Sequence, residues 1–155
     1  MVHELDLSSF TSVRKFAEII RTSEAKIDIL INNAECIVQG EIFTEDGLEY
    51  QMQTNYFSHF LLTHLLLGSF GNEQFFQLTN NILWILGQML KTEGSKIINV
   101  SSSHHSLCRK LDLSSVNFTR QTTNKKEVEV YCASKLCQIL FTKELAHRIK
   151  SSGKT

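Results

Sequence analysis

The sequence has no excess of either charge. Its 155 residues carry sixteen lysines and arginines against sixteen aspartates and glutamates, so the formal net charge at pH 7 is zero. Nucleic acids and anionic membranes attract proteins through a positive field, so neither is an expected partner. The length is that of a single domain, and the 42% of apolar residues are enough to fill one core.

Long apolar runs are also absent. The longest unbroken run has five residues, from Ile82 to Leu86, whereas a membrane-spanning helix needs about 20. We therefore expect no transmembrane span in this chain. The first residues lack the basic start and apolar centre of a signal peptide, which makes a cytoplasmic location the default expectation.

Clusters of metal-binding residues are missing as well. The four cysteines form no C-x-x-C pair, and reduced thiols are the expected state in a chain that can build a core. His59 and His64 are five residues apart and do not share one helix face. The sequence therefore predicts neither a disulfide framework nor a metal site.

The apolar residues that are present follow two periods. Spacings of three and four residues predict helices, while short β-branched runs that end in polar turns predict buried parallel strands. Ser8 and Ser9 can cap the first helix. The predicted order is a helix from Phe10 to Ile20, a strand at 27–31, a long helix at 45–67, a strand at 96–100 and a helix at 130–150.

This alternation of helices and strands is typical of an α/β fold with a parallel sheet. Right-handed crossovers bring the carboxyl ends of all strands to one edge, where ligands bind. Both predicted strands run directly into polar clusters, Asn32-Asn33 and Ser101-Ser102-Ser103. We expect these clusters to lie side by side at the ligand-binding edge.

The segment between the long helix and the second strand does not fit this pattern. Residues 68 to 95 make a connection much longer than the usual 2 to 6 or so. Residues 69–88 are therefore interpreted as an atypical insertion within a single domain spanning 1–155. They could form an added helix, an oligomer contact, or sequence foreign to the fold.

A tyrosine and a lysine one helical turn apart are the strongest candidates for chemistry. Tyr131 and Lys135 lie four residues apart on the last predicted helix and so share a face. A tyrosine normally titrates near 10, and a cation one turn away should lower its pKa. The tyrosine could then exchange a proton with a substrate oxygen, while a hydroxyl from the serine turn holds that oxygen in place.

Together with other short motifs, this pair resembles the short-chain dehydrogenase/reductase superfamily. The sequence around the motifs is similar to that of the retinol dehydrogenase branch. Two examples are His59-Phe60-Leu61-Leu62-Thr63 and Tyr131-Cys132-Ala133-Ser134-Lys135-Leu136. The similarity covers residues 4 to 67 and 90 to 153. The motifs in chain order are Leu5-Asp6-Leu7, Asn32-Asn33-Ala34, Asn55, Ser101-Ser102 and Tyr131-x-x-x-Lys135.

The resemblance implies a role for each matching residue. Tyr131 would be the acid/base residue, Lys135 would lower its pKa and hold the nicotinamide ribose, Ser102 would bind the substrate oxygen, and Asn55 would hold a water of the proton relay. The cofactor would also contact four further residues. Asp6 and the Leu7 backbone would face the adenine, and Asn33 and Ala34 would lie along the ribose and pyrophosphate.

Two departures from the family pattern concern the cofactor site. The Asn-Asn-Ala triplet is followed in the family by glycine, and here by Glu35. Its carboxylate could turn out to solvent, or it could repel a pyrophosphate. In addition, no G-x-x-x-G-x-G turn occurs anywhere in the sequence. The resemblance therefore implies a partial Rossmann-type doubly wound parallel sheet, without the first βαβ unit and the carboxyl-terminal strands.

Two functions remain open on this basis. The first is an oxidoreductase of the retinol dehydrogenase type, which transfers hydride between NADP or NAD and a retinoid or another lipid-derived alcohol or aldehyde. The second is a catalytically inactive fragment that at most pairs with a full-length relative. A homo-oligomer is possible. The family also implies association with the endoplasmic reticulum membrane if an amino-terminal anchor precedes this sequence.

Overall fold

The described part of the chain is a set of helices packed against a short parallel sheet. The computed structural model describes residues 1–40, 42–67, 89, 92–112 and 127–151. The predicted insertion at 69–88 lies outside the described residues. In chain order the elements are α1 (Phe10–Ser23), β1 (Ile29–Asn32), α2 (Tyr50–Met52), a π-helical turn (Gln53–Phe57), α3 (Ser58–Leu67), β2 (Lys96–Asn99), a 3-10 helix (Ser103–Leu107) and α4 (Glu127–Ser151).

Helix α1 begins where the sequence predicted. Ser9 is its N-cap, and the Ser9 hydroxyl accepts a hydrogen bond from the Ser12 backbone N–H. Val13 and Ala17, on the inward face of α1, are buried in the main apolar cluster. Val13 is completely covered. The cap and the three- and four-residue spacing thus fix both the start and the buried face of this helix.

The two strands pair in parallel, as predicted. The register places Ile29 opposite Lys96 and Asn32 opposite Asn99, so the carboxyl ends of both strands meet. Within the described residues, the prediction of buried strands holds for one face only. Leu30 packs on the main cluster, while Ile29 and Ile31 remain more than half exposed. The apolar run correctly predicts that these residues form a strand, but described residues cover only one face of β1.

The long helix differs from its prediction at its start and in its middle. It begins at Tyr50 rather than near residue 45. Gly47 adopts a positive φ of 76°, a conformation that side chains with a Cβ disfavour, and Phe43 forms an antiparallel bridge to Glu49. The chain therefore turns back on itself before the helix can start. Further on, a π-helical turn (Gln53–Phe57) interrupts the α-helical hydrogen bonding.

Two apolar clusters hold α4 against the rest of the molecule. The main cluster joins α1, α3 and the carboxyl-terminal half of α4, with Phe141 and Leu145 buried in it. The second cluster packs the start of α4 on Met52. Its buried members are Met52, Val130, Ala133 and Cys137. These contacts fix α4 along the long helix, with Tyr131 and Lys135 near the π-helical turn.

No helix within the described ranges is both long enough and apolar enough to cross a lipid bilayer.

Two histidines of the long helix make the fold sensitive to acid. Burial lowers the pKa of His59 and of His64 from the ordinary value of 6.5, although each ring nitrogen faces a backbone carbonyl. The unfolded chain then binds more protons than the folded one as pH falls through 6.5, so stability should fall with it. We expect a lower melting temperature at pH 5.5 than at pH 7.5.

The His64→Gln variant should lose less stability than the wild type over this range. The exposed His147 offers a matched control, since His147→Gln should keep the wild-type dependence. Thermal unfolding followed by circular dichroism measures both. An identical dependence in the wild type and in His64→Gln would contradict the role given to His64.

Candidate active site

The candidate site lies at the carboxyl ends of the two strands. The Val100 N–H donates to the Asn32 carbonyl over 3.0 Å, which continues the pairing beyond the strands. The buried Asn32 amide donates to Thr63 Oγ1 and to Asn99 Oδ1. The Asn32 side chain therefore ties both strand ends to α3. Asn32 ends β1 and Asn33 follows it, while the serines 101–103 begin two residues after β2, so the two predicted clusters are neighbours, as expected.

Helix α4 carries Tyr131 and Lys135 to this edge. Tyr131 is 5% exposed and Lys135 only 1%, and the Lys135 Nζ lies 5.5 Å from the centre of the Tyr131 ring. Ser101 Oγ donates to the Lys135 backbone carbonyl over 2.9 Å. This bond fixes α4 to the segment that follows β2. The four-residue spacing thus places a phenol and an ammonium side by side, as the sequence predicted.

Glu35 occupies the site in a way that the sequence did not predict. Its carboxylate forms an ion pair with the Lys135 ammonium. The Tyr131 hydroxyl donates to the same carboxylate oxygen over 3.1 Å. Glu35 thus remains 45% exposed while one oxygen of its carboxylate is held by both groups, an arrangement that neither of the two alternatives left open by the sequence described. The two groups expected to serve catalysis both contact this side chain.

The electrostatics of Tyr131 follow from this arrangement. The pKa of Tyr131 is raised from its ordinary value, first by burial and then by the hydrogen bond and negative charge of Glu35. The nearby Ser102 hydroxyl lowers this pKa in part. The net shift of the Tyr131 pKa is thus opposite to the lowering expected from Lys135, whose ammonium is paired with Glu35. In turn, Lys135 lowers the pKa of the Glu35 carboxyl.

Ser102 and His104 are two further polar residues near Tyr131. Ser102 is the N-cap of the 3-10 helix, and its Oγ lies 3.2 Å from His104 Nδ1. The His104 ring meets the Tyr131 ring edge-on, with ring centres 5.8 Å apart. The sequence pointed to histidines only as potential metal ligands, so the contact of His104 with Tyr131 was not predicted. The position of His104 two residues after Ser102 was the available signal.

Asn55 is placed by the π-helical turn and is completely buried. Its side chain forms hydrogen bonds with both the N–H and the carbonyl of Cys36. Asn55 Oδ1 accepts from the Cys36 N–H over 2.8 Å, and Asn55 Nδ2 donates to the Cys36 carbonyl over 3.0 Å. The Asn55 backbone carbonyl accepts from Gln138 Nε2 over 2.8 Å. The amide therefore positions the segment after β1, which includes Glu35.

Comparisons with known proteins show what this chain is similar to. Mouse retinol dehydrogenase 13 is 38% identical over 151 residues, which cover 97% of this chain and 39% of the mouse protein. Human retinol dehydrogenase 11 is 36% identical over 157 residues, which cover the whole chain and 42% of the human protein. No protein-family model matches the sequence.

The chain is a homologue of retinol dehydrogenases, in the short-chain dehydrogenase/reductase family. It spans about 40% of the length of these relatives.

Two solved structures show the same fold. An uncharacterized protein from Mycobacterium paratuberculosis is 31% identical and superposes with a TM-score of 0.74, covering 99% of this chain and 46% of that protein. A short-chain dehydrogenase from Sphingobium yanoikuyae in complex with NADPH superposes with a TM-score of 0.58 at 18% identity, covering 97% and 46%. The predicted α/β class with a partial Rossmann-type parallel sheet is thus confirmed.

The four positions that the family assigns to the rest of the cofactor are spread over two segments. Asn33 and Ala34 follow β1 and are exposed. Asp6 is exposed before α1, where its carboxylate accepts from the Ser8 N–H and hydroxyl. Leu7 is buried, and its carbonyl accepts from Ser58 Oγ. Their roles as cofactor contacts stay predictions.

All four cysteines are free thiols, as the sequence predicted. Burial raises the pKa of Cys137 to about 12, which keeps this thiol protonated. Within the described ranges, no three histidine, cysteine, aspartate or glutamate side chains come together as a metal site would require.

Proposed function

We propose that this chain carries the acid/base site of an oxidoreductase of the retinol dehydrogenase type. The reaction is hydride transfer between NADP(H) and a retinoid or another lipid-derived alcohol or aldehyde. The observation that supports it is the arrangement of Tyr131 between Lys135 and Ser102 at the carboxyl edge of a parallel sheet, in a homologue of retinol dehydrogenases. The same edge binds ligands in open α/β sheets.

Each residue has a task in this proposal. The Tyr131 hydroxyl donates a proton to the carbonyl oxygen during reduction and takes it back during alcohol oxidation. Ser102, whose hydroxyl interacts with Tyr131, binds the same oxygen. Lys135 stabilises negative charge on the phenol and binds ribose hydroxyls. Asn55 acts on the site through the Cys36 backbone, which its side chain holds.

The residues present fit the nicotinamide end of the cofactor. A bound nicotinamide supplies or accepts the hydride. In the structure, the Lys135 ammonium and the Tyr131 hydroxyl both contact one carboxylate oxygen of Glu35. A ribose hydroxyl could occupy the position of that oxygen. NADP is preferred over NAD in the proposal because the resemblance to the retinol dehydrogenase branch implies it, and the Sphingobium yanoikuyae short-chain dehydrogenase, which has the same fold, is solved with NADPH. Asp6, Leu7, Asn33 and Ala34 would complete the contacts.

An inactive chain is the alternative, and Glu35 is the observation that favours it. Its carboxylate holds the two groups that catalysis needs, and the sequence contains no glycine-rich phosphate turn. Such a chain could still pair with a full-length relative through α3 and α4. Association with the endoplasmic reticulum membrane stays an expectation from the family.

A fusion protein tests the proposal. The chain is joined to a glycine-rich βαβ unit before Met1 and a substrate-closing segment after Thr155, both from a retinol dehydrogenase. We expect the fusion to reduce retinal with NADPH, measured as retinol by chromatography. A fusion that folds and binds NADPH but reduces neither retinal nor another lipid-derived aldehyde would favour the inactive alternative.

A further inference from the structure

The segment after β1, which contains Glu35, is anchored at two points. Asn55 makes two hydrogen bonds to the Cys36 backbone, directly after Glu35. Further on, the Gly40 N–H donates to the Glu127 carboxylate at the start of α4 over 2.7 Å. Both anchors come from the helices that form the site. The Glu35 position is therefore set by the fold, although its side chain is 45% exposed.

Glu35 also satisfies groups that would otherwise lack a negative partner. The Lys135 side chain is 1% exposed, and its other hydrogen bond, to the Val100 carbonyl, is long at 3.5 Å. A buried ammonium needs a counter-charge or several strong acceptors. The carboxylate of Glu35 supplies this charge and accepts the Tyr131 hydroxyl as well.

From these contacts we infer that Glu35 is an internal ligand of the Lys135–Tyr131 pair, which occupies both donors until an incoming ligand displaces it. The identity of the incoming ligand, a ribose hydroxyl or a substrate oxygen, rests on the proposed function. The contacts of Glu35 with Lys135 and Tyr131 are independent of the proposed function. Glu35 is a positioning residue: it acts on Tyr131 and Lys135 and determines how tightly other ligands bind there.

The titration of Tyr131 gives a direct readout of this contact. The charged and titratable groups that face Tyr131 are Glu35, Lys135, His104 and Cys132. Removing the Glu35 charge leaves the Lys135 ammonium as its nearest charged neighbour. The phenol of Tyr131 should then ionise at lower pH.

The experiment follows tyrosine ionisation in the full chain by ultraviolet difference titration. The Tyr131→Phe variant identifies the ionisation step of Tyr131, and three further variants are compared with the wild type. Glu35→Gln should shift that step to lower pH, and Asn55→Ala should shift it in the same direction, since the segment loses its anchor. The matched control is Glu144→Gln, which removes an exposed carboxylate that pairs with Arg148 on the far half of α4. It should leave the Tyr131 step unchanged.

Formate tests the ligand position itself. In Glu35→Gly the carboxylate is absent, and added formate should bind Lys135 and Tyr131 and move the Tyr131 step back toward its wild-type pH. The wild type should not respond to formate. In the fusion protein, Glu35→Gln should lower the NADPH dissociation constant about tenfold, which corresponds to about 1.4 kcal/mol.

An unchanged Tyr131 step in Glu35→Gln, with circular dichroism showing a native fold, would overturn the inference. So would a formate response of equal size in the wild type and Glu35→Gly. Neither result depends on the cofactor. If the titration shifts as expected while the fusion binds no NADPH, the inference stands and the proposed function fails.

Discussion

Replacing Tyr131 by phenylalanine in the fusion protein is expected to lower the rate of retinal reduction by about 100- to 10,000-fold. A positioned acid or base contributes a factor of this size, and Tyr131 is the only phenol that lies between Ser102, His104 and Lys135 among the described residues. The change removes one hydroxyl and keeps the ring. The main loss should therefore appear in kcat, since the hydroxyl acts mainly in the transition state.

The control for this prediction is Tyr50→Phe. Tyr50 is the first residue of α2 and precedes the π-helical turn, so its hydroxyl has no task in the proposed reaction. Initial rates of retinol formation at saturating NADPH measure both variants. If Tyr131→Phe keeps more than about a tenth of the wild-type rate, the proton comes from another group.

The sequence predicted those elements whose signals are local. The Ser9 cap and the spacing of Val13 and Ala17 predicted α1, and the β-branched runs predicted the strands. Tyr131 and Lys135 share a face because four residues make about one helical turn. Each of these features depends on neighbours within a few residues. The sequence carries such information directly.

The features that the sequence did not predict depend on distant contacts. Glu35 and Tyr131 are 96 positions apart, and no periodicity reports which way the side chain of an exposed residue turns. The π-helical turn is in the same class, since Asn55 within it bonds the Cys36 backbone 19 positions away. The exception is the start of the long helix. Gly47 marks a turn, and it could have been interpreted as one from the sequence.

The position of Glu35 changes the expected protonation behaviour of Tyr131 beside Lys135. The spacing alone predicted a tyrosine with a lowered pKa, ready to act as a base. In the structure, burial raises the pKa of Tyr131, and the contact with Glu35 raises it further. The phenol then stays protonated and is suited to donate a proton, as carbonyl reduction requires. In either direction of the reaction Glu35 must first release the Tyr131 hydroxyl, which donates to its carboxylate.

The 155-residue chain by itself is expected to bind NADPH only in the millimolar range, or not at all. Pyrophosphate is normally held by backbone N–H groups at a glycine-rich turn and helix N-terminus, and this sequence contains no G-x-x-x-G-x-G. At the nicotinamide end, Glu35 occupies Lys135 and Tyr131 and adds negative charge. Both effects weaken binding of an anionic cofactor.

Titration calorimetry of the chain with NADPH measures this directly. The difference between a millimolar and a micromolar dissociation constant is about 4 kcal/mol, so the two outcomes are easily separated. The fusion protein is the matched comparison, because it contains the same 155 residues with a phosphate turn added. If the chain alone binds NADPH with a micromolar dissociation constant, its own residues hold the phosphates, and neither the lack of the turn nor the position of Glu35 limits cofactor binding.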